Sequence, residues 1–226
     1  MQPRERALFS ADELLTYSWR KTKEHLRPLV TIGATGAALA LLERASQGSD
    51  RWAAAGLLSL VVQLFQLAIT MAWIRIALDI CDGKPVGIPR LKTLWPDFLM
   101  FLITSMLAGI VVALGFVALV LPGVWLLLAF GFAGFLVIDQ RLSPGAALRE
   151  SARLTRGRKA ELFGLAAVFF LLNIGGALLF GVGLLLTVPM SFIASARVFR
   201  RLQELPARAQ HQPAPEGTLL AHGGRP

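Results

Sequence analysis

The chain has 226 residues and a formal net charge of +9; 55 % of its residues are hydrophobic and only 16 % are charged, against about 25 % charged in an average globular protein. With a mean hydropathy of +0.60, that shortage of charge excludes disorder over most of the chain and argues against a soluble fold. One cysteine rules out an intramolecular disulfide framework and a cysteine-based zinc cluster, and three histidines, none deep in an apolar run, give metal chemistry little to build on.

Ser10-Ala11-Asp12-Glu13 has the pattern of a helix-opening capping box. Beyond it, Leu14, Leu15, Ser18, Trp19, Thr22, His25 and Leu26 share one helical face, with Arg20, Lys23 and Arg27 turned away, the pattern of a helix lying at a membrane surface. Four stretches without Asp, Glu, Lys or Arg follow, at residues 28–42, 52–74, 98–138 and 162–196. A crossing helix needs about 20 apolar residues. The first stretch is short for that and the second fits it. The third would be roughly 62 Å long as one helix, twice the hydrocarbon thickness, so it must fold back. Leu121-Pro122-Gly123-Val124 is the expected break, because proline suits a first helical turn and glycine a tight connection. The fourth, roughly 52 Å as one helix, is expected to turn at Gly181-Val182-Gly183, its last helix running past Arg197 to about Arg201.

Charge decides the number of crossings. With six helices, both termini and the two long loops on the cytoplasmic side, 21 of the 23 Lys and Arg residues lie there, leaving only Arg44 and Arg51 opposite. That is the positive-inside distribution. Trp19, Trp52, Trp73, Trp95 and Trp125 fall near expected helix ends, where indole rings favour the headgroup region. The predicted fold is therefore all-α: a polytopic membrane protein with six transmembrane helices as three hairpins, each preceded by a short interfacial amphipathic helix.

Ser143-Pro144 opens a second interfacial helix, with Ser143 as cap and Pro144 at the first helical position. Ala147, Leu148, Ser151, Ala152 and Thr155 form its weakly apolar face, and Arg149, Arg153 and Arg156 stack on the other. The two interfacial segments align without gaps: Ser10 with Ser143, Leu15 with Leu148, Ser18 with Ser151, Arg20 with Arg153 and Thr22 with Thr155. Ile88, Leu91, Leu94 and Trp95 look like a degenerate third copy. The membrane domain then covers residues 10–202, with repeats at 10–80, 86–138 and 143–201, between a short N-terminal segment (1–9) and a Pro- and Gly-rich tail (203–226) expected to be disordered.

Leu121-Pro-Gly-Val-Trp, Val137-Ile-Asp-Gln-Arg, Ser143-Pro-Gly-Ala-Ala-Leu-Arg-Glu-Ser, Leu154-Thr-Arg-Gly, Gly181-Val-Gly and Val188-Pro follow one another in order. In this the chain resembles the bacterial membrane domain found fused to some glycerophosphodiester phosphodiesterases, and its stand-alone inner-membrane relatives. The likeness is best over residues 98–202, weaker over 10–97 and absent from the tail. It implies a six-helix inner-membrane protein, and no phosphodiesterase activity, because the catalytic part of those fusions is a separate soluble domain.

Catalytic residues, cofactors and metals are not expected. His25, His211 and His222 are isolated, Cys81 has no neighbouring histidine, and no nucleophile-elbow, zincin or phosphate-loop motif occurs. Gln63 and Gln66 share a face of the second crossing, and Asn173 lies mid-run in the fifth; they either line a solute path or bond between helices. Arg75 with Asp79, and Asp139 with Arg141, are expected as interfacial ion pairs. Arg149, Arg153, Arg156, Arg158 and Lys159 form the strongest basic cluster. Each basic side chain near an anionic leaflet gains about 1 kcal/mol, and without interleaved aromatics the cluster suits lipid rather than nucleic acid. Expected partners are the bilayer, anionic lipid and a membrane protein or second copy of the chain. The expected function is a non-enzymatic inner-membrane scaffold or homeostasis factor with a basic cytoplasmic face; the alternative is a transporter or channel subunit.

Overall fold

A computed structural model describes residues 11–46, 52–86, 92–178, 181 and 183–211. Ser10, residues 87–91 and the tail beyond 211 lie outside the described residues, and with them the first expected cap and Ile88 and Leu91 of the degenerate third copy. The described residues are almost wholly helical, with no strand among them: α1 (Ala11–Glu24), α2 (Leu26–Ser46), α3 (Trp52–Cys81), a 3-10 helix (Lys92–Asp97), α4 (Phe98–Ala118), α5 (Val120–Phe130), α6 (Ala133–Gln140), α7 (Pro144–Leu154), α8 (Lys159–Leu178) and α9 (Leu184–His211).

Five segments are long and apolar enough to cross a membrane: Leu26–Ala45, Gly56–Cys81, Trp95–Ala118, Val120–Gln140 and Lys159–Leu178. The short first run becomes a 21-residue helix, about 31 Å at 1.5 Å per residue, because flanking Leu26, Arg27 and Glu43–Ser46 join it. The expected sixth crossing, on α9, is not among the five: Arg197, Arg200 and Arg201 fall within about its first five turns. α9 also continues to His211, past the expected end at 202, since strong helix formers flank Pro206 on both sides.

The break in the third run lies at Leu119, not at residues 121–124. Leu119 is extended (φ −170°, ψ 156°), and Pro122 and Gly123 sit in the first turn of α5. Proline is harmless there because the N–H it lacks would have no partner inside the helix. Gly123 serves packing instead: a side chain on it would strike the Phe116 ring, and one on Gly115 would meet the Gly123 Cα at 3.1 Å. The α8–α9 connection turns at Gly181 (φ +76°) as expected, and there too glycines touch, a Cβ on Gly183 falling 2.6 Å from the Gly176 Cα. Close approach of small residues is how membrane helices gain dispersion energy without a hydrophobic drive.

The buried core gathers at one end of the molecule. Leu78, Leu136, Val137, Val198 and Phe199, from α3, α6 and α9, are essentially inaccessible, and Leu14 of α1 and Ala147 of α7 close over them. The opposite end displays Leu57, Leu60, Leu114, Val117, Leu121 and Leu178. A soluble protein does not carry so continuous an apolar surface; lipid-facing helices do. Trp73 departs from the expected interfacial role: it is 5 % exposed and stacks on Phe192 of α9, ring centroids 5.9 Å apart. Lying two turns before the end of α3, it faces the neighbouring helix rather than lipid.

Candidate functional site

The C-terminal ends of α3 and α6 meet the middle of α9 at a single guanidinium. Arg200 donates to both oxygens of Asp82 (2.9 and 2.8 Å), to both oxygens of Asp139 (2.7 and 2.8 Å) and to Gln203 Oε1 (3.1 Å), so each of its five N–H bonds has an acceptor. Two parallel forks on two carboxylates are the strongest geometry available to arginine. Partial burial by itself would raise the Asp82 carboxyl; hydrogen bonds from Lys84 and Arg200 outweigh it and hold the group below its ordinary value. Asp139 therefore does not pair with Arg141. The left-handed turn at Arg141 (φ 53°) points that side chain instead to Asp97, 3.3 Å away. The expected Arg75–Asp79 pair forms at 3.5 Å on a buried carboxylate.

On the same end, α7 packs over α4, α5 and α6. The crossing formed by α5 and α6 is interrupted at Gly131-Phe132, which frees backbone groups. Ser151, fully buried, answers them: its hydroxyl donates to the Ala129 carbonyl (2.7 Å) and accepts from the Phe132 N–H (3.3 Å). Ser151→Ala should leave both groups unpaired in the core, at about 1–3 kcal/mol; thermal unfolding in detergent micelles measures it, and hydrogen exchange should speed up at Phe132. Ser18, its counterpart in α1, is equally buried but bonds back to Leu14 and Leu15 of its own helix. Next to it, burial and the nearby Cys81 push the Tyr17 phenol up to about 12, while Arg197 lies 4.8 Å over its ring.

Ser143 is extended at the start of α7 but makes no side-chain cap bond; Pro144 follows at the first turn. Of the five clustered cations, Arg153 forks onto Glu150 (2.8 and 2.6 Å), Arg158 lies 3.9 Å from Glu161, and Lys159 sits 4.1 Å over the Trp125 ring. Arg149 and Arg156 are exposed and have no carboxylate within ion-pair distance among the described residues. A cavity of about 460 Å³ lies beside Arg149, lined also by Gln140, Leu142, Ala146, Glu150 and Arg153.

The intramembrane polar residues do not converge on one path. Gln66 gives its amide to the Gly36 carbonyl (2.9 Å), joining α3 to α2, and Asn173 donates to Ser191 (2.9 Å), joining α8 to α9. Gln63 is exposed on α3. Among the described residues, no three His, Cys, Asp or Glu side chains gather to hold a metal ion.

The sequence reading missed Arg200 and Asp82. Arg200 shares the local signature of its neighbours Arg197 and Arg201, a cation beyond an apolar run, and only the fold brings residues 82, 139 and 200 together. No family model, no curated protein and no solved structure matches the chain.

Proposed function

We propose that the chain is a non-enzymatic scaffold or membrane-homeostasis factor of the bacterial inner membrane that crosses the bilayer six times, both termini cytoplasmic, and holds anionic lipid against its basic cytoplasmic face. The observation that carries this reading is the exposed pair Arg149, on α7 at the rim of a small cavity, and Arg156, in the turn after α7, on the end of the molecule where Lys23, Arg27 and Lys84 are also exposed. Lys159 over the Trp125 ring fits an anchor at headgroup level.

Three units, each a surface helix followed by a helical hairpin, account for the element order. Leu26 and Lys159 open α2 and α8, and Trp52 and Leu184 open α3 and α9, while the aligned pairs Ser18 and Ser151, and Thr22 and Thr155, are all fully buried. The same order fits the resemblance to the membrane domain of the phosphodiesterase fusions. In a six-crossing chain the N-terminal half of α9 spans, and Arg197, Arg200 and Arg201 sit at its cytoplasmic edge on Tyr17, on Asp82 and Asp139, and on Glu13.

Two measurements test this. Replacing Arg149, Arg153 and Arg156 with glutamine should lower retention of phosphatidylglycerol by roughly tenfold, about 1.4 kcal/mol, less than the full sum for three cations because Arg153 is already paired; unchanged retention refutes lipid binding by this face. An impermeant thiol reagent should reach a cysteine at Ser46 and one at Ser143 from opposite sides of the membrane. The transporter reading makes a contrary prediction, solute flux in liposomes abolished by Asn173→Leu, and is weakened by the separate bonds of Gln66 and Asn173.

A further inference from the structure

Between α2, α3 and the start of α4 runs a groove of about 690 Å³. Its walls are Ile32 and Thr35 of α2, Phe65 and Ile69 of α3, and Trp95 with Phe98 at its mouth. Almost no polar atom is offered to it, since the Thr35 hydroxyl bonds back to Thr31 within α2. The groove lies within candidate crossing segments, so water is a poor occupant. One turn of helix about 10 Å wide and 5.4 Å in pitch fills roughly 420 Å³, so a partner's crossing helix would stand mostly outside the groove. An acyl chain is slender enough.

The mouth is suited to a headgroup. Trp95 is 80 % exposed and stacks on Phe98, ring centroids 5.9 Å apart. Arg75 shares the helical face of the lining residues Met71 and Ala72, one turn nearer the end of α3. Its side chain keeps 22 % of its surface exposed, but its Nε is buried 3.5 Å from Asp79 without a hydrogen bond, so a phosphate must be met by the terminal nitrogens.

We infer that this groove seats one phospholipid taken from the surrounding bilayer, an acyl chain between α2 and α4 and its phosphate at Arg75 beside Trp95. The inference rests on the membrane reading above but not on the basic face of α7.

Nanodiscs of phosphatidylglycerol carrying a diazirine on the acyl chain provide the test. After photolysis, lipid adducts should concentrate on residues 32–39 and 65–72 over the outer face of α8 at Phe170 and Leu171, which reports bulk lipid. Ala68→Phe, which fills the groove, should cut the groove adducts roughly tenfold and leave the α8 adducts unchanged; Thr35→Phe repeats the test should the first variant not fold. Diazirine-labelled diacylglycerol, with the same chain and no phosphate, should label the groove several-fold less, and Arg75→Gln should abolish that difference. Groove adducts no denser than those on α8, adducts that survive both filling variants, equal labelling by the two lipids, or a second protein chain captured there would each overturn the proposal. Absence of label on α8 as well would instead overturn the membrane reading.

Discussion

Arg200→Met should destabilise the protein by about 2–3 kcal/mol, read as a lowered unfolding midpoint in detergent micelles. Removing one partner of a fully buried pair costs about 3–5 kcal/mol; the Arg200 side chain keeps 23 % of its surface, and water access reduces the figure. The loss arises because Asp82 and Asp139, at 19 % and 18 % side-chain exposure, are left facing each other without the cation between them. Arg200→Lys should recover only a small part, since an ammonium cannot fork onto two carboxylates. In the Asp82→Asn/Asp139→Asn background the methionine should cost far less than in the parent, a non-additivity that an independent surface arginine would not show. The pH dependence follows from Asp82, whose carboxyl is held below its ordinary value of 3.8. A depressed carboxylate contributes stability that is fully present above the unfolded value and is lost as pH falls through the lower, folded one. The parent should therefore lose this part of its stability below about pH 4, and Arg200→Met should flatten that loss.

Gly183→Val is the second large effect, expected to cost about 1–3 kcal/mol or more by overpacking. The atoms its Cβ would meet are backbone, the Gly176 Cα at 2.6 Å and carbonyl oxygen at 2.7 Å, so no rotamer change relieves the clash and α8 and α9 must move apart. Separation would also pull Asn173 from Ser191. Gly175→Ala is the matched control: a Cβ there meets nothing within 4 Å, and alanine favours helix by up to about 1 kcal/mol over glycine. A Gly183→Val protein with the parent's midpoint would show that the α8–α9 contact is not close-packed.

Hydrophobic run length, charge placement and glycine position alone determined that the described residues are helical, that the chain carries several membrane-length segments, that the third run breaks and that Gly181 turns. Those properties depend on neighbours in the chain: bilayer thickness against rise per residue, and a backbone angle that glycine adopts freely. Local pattern also located helices α1 and α7, because a buried stripe recurs every three to four residues. Tertiary structure alone decided which charges meet. Asp139 lies two residues from Arg141, close enough in sequence to pair, yet the αL turn at Arg141 directs the two side chains to different helices, and Asp139 finds Arg200. Ser151 likewise looks in sequence like a small residue on a weakly apolar face; only when α7 lies across the α5–α6 break do the Ala129 carbonyl and Phe132 N–H come within its reach. The break itself moved from Pro122 to Leu119 because proline tolerates the first turn it occupies, whereas the position of the reversal is set by where Gly115 and Gly123 can touch.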